Sequence, residues 1–161
     1  MKRINFNEII ASGLGSGYTP YAPGTAGSIL GILLFYLLNF FLKKLNTDIW
    51  LVYSFNLIAI IFVLLLGVYS IKKVHKTWKH DASEIVIDEI TGVWIAVYAM
   101  PLEWQYYLYA LILFRFFDIV KPLYIRRLDN MGGDWGVMLD DVLAGIYSLL
   151  ILHVLFYFNI I

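Results

Sequence analysis

Cysteine is absent from all 161 residues, which excludes disulfides and thiolate metal sites. Charge is sparse as well: 15% of the chain is Asp, Glu, Lys or Arg, and the signs cancel to a net charge of zero. Neutralising a nucleic-acid backbone needs a basic face, so no nucleic-acid partner is expected. Proline occurs four times, and no internal repeat or low-complexity tract is present. Apolar side chains make up 61% of the residues, outside the range of an ordinary soluble domain. A single all-α domain over residues 1–161 is expected, a polytopic helical membrane protein with lipid as the solvent for much of its surface.

Residues 49–71 (IWLVYSFNLIAIIFVLLLGVYSI) carry no charge. At about 1.5 Å per helical residue they are long enough to cross a hydrocarbon core of roughly 30 Å. Residues 142–161 form a second uncharged run, and residues 28–42 a third that reaches spanning length if its helix begins near Gly24. Three transmembrane helices are therefore predicted, at about 25–42, 49–71 and 142–161. Lys2 and Arg3 look like the start of a signal peptide, but Gly, Ser and Pro interrupt the stretch where its apolar core would stand, so no cleavage is expected. The many Tyr, Trp and Phe side chains suit lipid contact and interfacial anchoring rather than a cofactor site.

Of the twelve acidic residues, four fall within 72–91 and five within 118–141. Polar chemistry is thus gathered in three islands, Ser12–Ser28, Lys72–Thr91 and Asp118–Asp141. Lys and Arg accumulate in short cytoplasmic loops. Lys72, Lys73, Lys76 and Lys79 place the second island on that side, and Arg115, Lys121, Arg126 and Arg127 place the third there too. Two loops on one side require an even number of crossings between them. Residues 92–117 contain Pro101, which cannot donate a helical hydrogen bond, and the arms beside it, about 9 and 13 residues, are each shorter than a span of roughly 20. A Pro-broken re-entrant or interfacial helical hairpin over about 90–117 is expected, covered by protein or by a wet cavity. Lys43 and Lys44 fall on the outer side in this scheme.

The first island runs through Gly-Thr-Ala-Gly-Ser28 straight into an apolar stretch. Glycines let successive N–H groups converge on an anion, and the positive end of the following helix favours negative charge. Close helix packing fits the same composition, and the Gly-Lys-Ser/Thr ending of a nucleotide loop is missing. In the second island Asp81 can cap a helix that carries Glu84 at its third position. Continued, that helix would stack Glu84 and Asp88 on one face, with Glu89 about 100° round from Asp88. Asp88 and Glu89 fall between Ile87 and Ile90 near a membrane boundary, where ionised groups are costly unless paired or metal-bound. Glu84 reads as solvated, the other two as functional.

In the third island Pro122 biases Lys121 away from helix, so a helix end is expected beside Asp118 and Lys121. Asp140 and Asp141 are expected to open the last transmembrane helix at its positive dipole end, with Ala144 and Gly145 letting another helix approach. Carboxylates, a lysine, arginines and a glycine loop on one membrane face suit a hard cation and a phosphate. Mg²⁺ binds through a few carboxylates plus substrate phosphate, and cationic side chains hold the remaining oxygens.

Four motifs in order resemble the phosphatidylglycerophosphatase A family over roughly residues 12–146. They are Gly-Ser-Gly-x-x-Pro-x-x-Pro-Gly-Thr-x-Gly-Ser ending at Ser28, Ile-Val-x-Asp-Glu-x-x-Gly-x-Trp ending at Trp94, Phe-Arg-x-x-Asp-x-x-Lys-Pro ending at Pro122, and Gly-Val-Met-x-Asp-Asp-x-x-Ala-Gly ending at Gly145. The resemblance implies a Mg²⁺-dependent monoesterase of phospholipid biosynthesis. Its substrate would be phosphatidylglycerophosphate in the membrane, its products phosphatidylglycerol and inorganic phosphate, and its place the cytoplasmic face of the bacterial inner membrane. Carried over with it are Ser16, Gly17, Thr19, Pro20, Pro23, Gly24, Thr25 and Gly27 as phosphate-loop residues. Asp88, Glu89, Asp118, Lys121, Arg126, Asp140 and Asp141 are carried over as catalytic residues. Among these, Asp88, Glu89, Asp140 and Asp141 are the implied Mg²⁺ ligands, and Lys121 and Arg126 join the loop as the implied phosphate clamp. Attack by an activated water and attack by a carboxylate such as Asp118 to form a phosphoaspartate are both open. Thr19 stands where the family often has Ser, and Asp134 where a glycine of a Gly-Gly-x-Gly turn is expected.

Two other readings compete. A different phospholipid head-group enzyme, such as a phosphatidyltransferase, would also join carboxylates to Mg²⁺, but its Asp-x-x-Asp-Gly core is missing. A small membrane transporter or scaffold would use intramembrane charges to line a path or to pair across helices, and would release no phosphate. His153, inside the last span, suits a hydrogen-bonded packing role rather than a proton relay. Nothing in the sequence sets the oligomeric state.

Overall fold

The structure, a computed structural model, describes residues 5–78 and 82–161. Among these residues every regular element is helical and no strand occurs. The short α1, Phe6–Ala11, starts with a capping box in which Asn5 Oδ1 accepts from Glu8 N at 2.9 Å and the Glu8 carboxylate accepts from Asn5 N at 3.1 Å. A tight 3-10 turn at Ser16–Tyr18 leads to α2, Pro23–Lys44, with proline at the first helical position where its missing N–H costs nothing. Asp48 caps α3, Ile49–Val74, by accepting from Trp50 N at 2.9 Å. There follow α4, Ile87–Ala96; α5, Trp104–Val120; α6, Ile125–Asp129; and α7, Gly133–Tyr157. The helices α2, α3 and α7 are long and apolar enough to cross a membrane. Leu57, Ile58, Ile61, Phe62 and Leu65 of α3 stay exposed, an apolar surface that lipid tolerates and water does not.

Two sequence expectations are corrected. The last long helix begins at Gly133 instead of near residue 142, so Asp140 and Asp141 lie about two turns inside it at 3.6 residues per turn. The first-turn dipole position belongs to Asp134, which also meets His75 Nδ1 of the α3 cap at 2.7 Å. The second correction concerns Glu84. Residues 82–86 are non-helical, α4 begins only at Ile87 with Val86 as its N-cap, and Glu84 shares no helix face with Asp88. Asp81, Lys79, Lys2 and Arg3 lie outside the described residues.

The hairpin is present, with arms of 10 and 17 residues in α4 and α5 on either side of Pro101. Its tip is deep. Val97, Met100 and Pro101 line a cavity together with Lys43 and Thr47, at the end of α2 away from Pro23. Tyr106 at the start of α5 meets Phe156 near the end of α7 with ring centroids 5.4 Å apart. The open ends of the hairpin, Asp88 and Asp118, return to the level of Pro23.

Helix α4 is wrapped by α2, α3, α5 and α7, and Val93 and Ala96 are completely buried. Trp94 Nε1 donates to the Gly31 carbonyl of α2 at 2.8 Å. On the opposite side a Cβ at Gly145 of α7 would strike the Gly92 carbonyl of α4, so this crossing exists only because both positions lack side chains. The short arm of the hairpin is thereby fixed, and with it the two acids at its first turn.

Candidate active site

Where α2, α4 and α7 begin and α5 ends, a polar cavity of about 610 Å³ opens. Ala22, Pro23 and Gly24 come from the start of α2, Asp88 and Glu89 from the first turn of α4, Arg115 and Asp118 from the last turns of α5. Lys121 follows α5, Asp129 ends α6, and Asp140 and Asp141 come from α7. Two chain reversals set its rim. Ala22 and Lys121 both precede proline and both take left-handed backbone angles, φ +48° and +47°. That conformation costs a non-glycine residue roughly 1–2 kcal/mol. At Lys121 it stops α5 abruptly, as the following proline predicts, and the side chain turns back to the acids.

Asp88, Glu89 and Asp141 each place a carboxylate oxygen within 4.8 Å of the others. Asp88 is 8% exposed and Asp141 3%. Glu89 Oε2, Asp140 Oδ1 and Asp141 Oδ1 are buried without a hydrogen-bond partner among the described residues. Such crowding of buried acids is costly unless a cation joins them. The donor set is all oxygen, which suits a hard cation, so these three residues could hold a metal ion. Asp140 belongs to a different contact. Its Oδ2 lies 2.5 Å from Lys121 Nζ, which also donates to Asp129 at 2.8 Å. Burial alone would lower the Lys121 pKa, but the hydrogen bonds to Asp129 and Asp140 outweigh it and hold the pKa above the ordinary lysine value. Lys121 is therefore a fixed positive charge at neutral pH.

Arg115 is the second cation of the cavity. Its Nη1 lies 2.6 Å from Asp118 Oδ2 and 3.9 Å from Glu89 Oε1, while its Nε is buried without a hydrogen-bond partner. Among the described residues, six carboxylates, those of Asp88, Glu89, Asp118, Asp129, Asp140 and Asp141, thus face two cations. Fully ionised, the cavity carries a surplus of four negative charges.

The structure brings Asp88, Glu89, Asp118, Lys121, Asp140, Asp141, Pro23 and Gly24 of the sequence-derived set into one cavity. Arg126 is not there. It is exposed, and its Nη2 reaches only the Val120 carbonyl at 3.5 Å. Much of the glycine-rich loop serves the chain itself. Ser16 Oγ donates to Gly13 O at 2.9 Å, and Thr19 Oγ1 donates to Ser16 O at 2.7 Å. A Cβ on Gly17 would strike the Glu84 carbonyl, and one on Gly27 would lie 2.7 Å from Val86 Cβ. Thr19 and Pro20 line a smaller neighbouring cavity of about 280 Å³ with Gly17, and Thr25 lines neither cavity. Sequence reasoning read Arg115 as a topological charge and a motif residue but did not include it among the site residues, and it passed over Asp129. Arg115 stands three residues before Asp118, a helical pairing distance that was there to be read. Asp129 had no such signal, because its partner Lys121 lies across a helix break.

Comparison with known proteins adds a second line of observation. The family model of phosphatidylglycerophosphatase A matches residues 9–156. A Haemophilus influenzae protein named phosphatidylglycerophosphatase A is 41% identical over 157 residues, covering 96% of this chain and 91% of its own. Its Escherichia coli namesake is 36% identical over 159 residues, with 95% and 85% covered. A Bacteroides thetaiotaomicron protein whose provisional name is phosphatidylinositol-3-phosphatase is 40% identical over 158 residues, with 96% of each chain covered. No solved structure matches.

Proposed function

Because the chain belongs to the phosphatidylglycerophosphatase A family, we propose that it is a Mg²⁺-dependent lipid phosphatase that hydrolyses phosphatidylglycerophosphate to phosphatidylglycerol and inorganic phosphate, a step of phospholipid biosynthesis. The observation that carries this reading is the charge of the cavity. With six carboxylates against two cations among the described residues, entry of a phosphate monoester calls for further positive charge. Asp88, Glu89 and Asp141 are the residues that would hold Mg²⁺. Bound there, the ion supplies charge neutralisation and polarisation of the phosphoryl group.

The chain's own groups bind and orient. Arg115 offers its unpartnered Nε, and Lys121 offers the N–H it does not give to Asp129 or Asp140. The Gly24 N–H adds a backbone donor at the positive end of α2. Water attacks phosphorus opposite the ester oxygen, the bond from phosphorus to that oxygen breaks, and the proton that the attacking water gives up is balanced by the one the released glycerol oxygen takes up. Attack by Asp118 through a phosphoaspartate gives the same products. The 2.6 Å ion pair with Arg115 favours the water route, because a carboxylate held by guanidinium is a weaker nucleophile.

The Bacteroides relative motivates a second reading, the same chemistry on a phosphorylated inositol lipid. Purified protein should be given phosphatidylglycerophosphate, phosphatidic acid, phosphatidylinositol 3-phosphate and glycerol phosphate, with Mg²⁺ or chelator, and free phosphate measured. Release from phosphatidylglycerophosphate should exceed the others by at least about tenfold in kcat/KM and stop with chelator. Fastest release from the inositol lipid would transfer the assignment, and no release from any would overturn it.

The distribution of basic residues supports one orientation in the bacterial inner membrane. Lys72, Lys73 and Lys76 lie at the end of α3 around His75, which meets Asp134, and Arg126 and Arg127 lie on α6, whose last residue Asp129 lines the cavity; this supports a cytoplasmic active site. Single cysteines at Lys76 and Asn130 should resist a membrane-impermeant thiol reagent while the inner membrane is intact, and one at Lys44 should react. Labelling at position 76 or 130 in such cells would reverse the orientation.

A further inference from the structure

At the end of the bundle away from the carboxylates, a second cavity of about 450 Å³ lies between α2, α3 and the hairpin tip. That volume falls within the range of small-ligand sites. Phe35, Val97, Leu102 and Phe156 make its walls largely apolar, and Lys43, Asn39 and Asn56 interrupt them. Asn56 is 2% exposed. Its Nδ2 donates to Asn39 Oδ1 at 2.8 Å, and Asn39 Nδ2 donates to Phe35 O at 2.9 Å. This chain of bonds leaves Asn56 Oδ1 buried with no donor among the described residues. A buried acceptor stranded in this way is costly, so the position fits a ligand that brings a donor. Lys43 stands one helical turn beyond Asn39 on the same face of α2, and it has no ion-pair partner among the described residues.

A ligand matched to these groups carries a negative charge for Lys43 and a hydroxyl donor for Asn56, and stands in a lipid surface. We propose that this cavity binds the head group of an anionic, hydroxyl-bearing phospholipid. The phosphodiester lies against Lys43, a head-group hydroxyl donates to Asn56 Oδ1, and the acyl chains rest on the exposed apolar surface at Ile49 and Trp50. Phosphatidic acid brings the charge without an alcohol. Phosphatidylethanolamine brings a donor but cancels the charge. Phosphatidylglycerol brings both. The site stands apart from the carboxylate cavity, and its occupancy does not depend on the reaction proposed there.

The test is lipid retention by the full-length protein, purified in detergent with chelator so that no turnover occurs, and read by native mass spectrometry. Phosphatidylglycerol, phosphatidylethanolamine and phosphatidic acid are added in equal amounts. The parent should retain phosphatidylglycerol at least about fivefold over each of the others. Asn56→Leu should bring phosphatidylglycerol down to the phosphatidic acid level, and Lys43→Gln should weaken both anionic lipids together. Lys43 is exposed, so Lys43→Gln carries the test if Asn56→Leu fails to fold, with its unfolding temperature as the control. A parent that shows no preference, or a preference for phosphatidylglycerol over phosphatidylethanolamine that survives Lys43→Gln, would overturn the proposal.

Discussion

Asp88→Asn and Asp141→Asn are each expected to lower kcat by at least about 100-fold while the protein extracts normally and unfolds no earlier than the parent. Replacing a buried polar residue usually destabilises. Here the native arrangement crowds three carboxylates within 4.8 Å, and Asp88 and Asp141 have no cationic partner among the described residues. Losing one negative charge relieves that repulsion, so the chelated variants should be as stable as the chelated parent or more so. Phosphate release at saturating Mg²⁺ and the unfolding temperature with chelator are the two readings. A near-parent kcat would remove the residue from the metal set. A lower unfolding temperature with matching loss of activity would make its role structural.

Gly24→Ala and Gly27→Ala should separate in kind although they lie three residues apart on α2. A Cβ at Gly24 would meet the Glu89 carboxylate and come within 3.0 Å of Arg115 Nη1, the two groups that join the carboxylates to the phosphate donors. Activity should fall by about 100-fold in kcat/KM, with little change in unfolding temperature, because the groups displaced are flexible side-chain ends. A Cβ at Gly27 would instead press on Val86 beneath the first turn of α4. Overpacking of that sort costs about 1–3 kcal/mol, so the unfolding temperature should drop and activity should follow the folded fraction. A Gly24→Ala protein that is destabilised yet fully active per folded molecule would make Gly24 a packing residue as well.

Much of the architecture was legible because lipid imposes a simple pattern. Uncharged runs of spanning length became α2, α3 and α7, and Pro101 became the turn of a hairpin that returns Asp88 and Asp118 to one end. The acids were legible because Asp88, Glu89, Asp140 and Asp141 are expensive among apolar neighbours. The start of α7 was not. Gly132 and Gly133 read as a turn, and the polar stretch behind them hid a helix that is amphipathic rather than apolar in its first two turns. That misplacement gave Asp140 and Asp141 a dipole role that Asp134 holds, and it concealed that Asp140 faces Lys121 while Asp141 faces Asp88 and Glu89. The glycine loop was ambiguous for a physical reason. Small residues serve anion approach and close packing equally, and only the neighbours at Glu84, Val86 and Glu89 show which each glycine does. Arg126 was carried over from the family resemblance although it lies outside the four motifs, and the arginine beside the acids is Arg115, which stands inside the third. His153 bonds to the Leu149 carbonyl at 3.0 Å, the packing role expected for it.

Everything proposed for catalysis depends on Asp88, Glu89 and Asp141 acting as one cation site. Manganese(II) titrated into chelator-stripped protein and followed by electron paramagnetic resonance tests this without reference to turnover. Bound Mn²⁺ should appear in the parent, be displaced by Mg²⁺, and be lost in both Asp88→Asn and Asp141→Asn. Undiminished Mn²⁺ binding in those two variants would place the metal elsewhere and contradict the account.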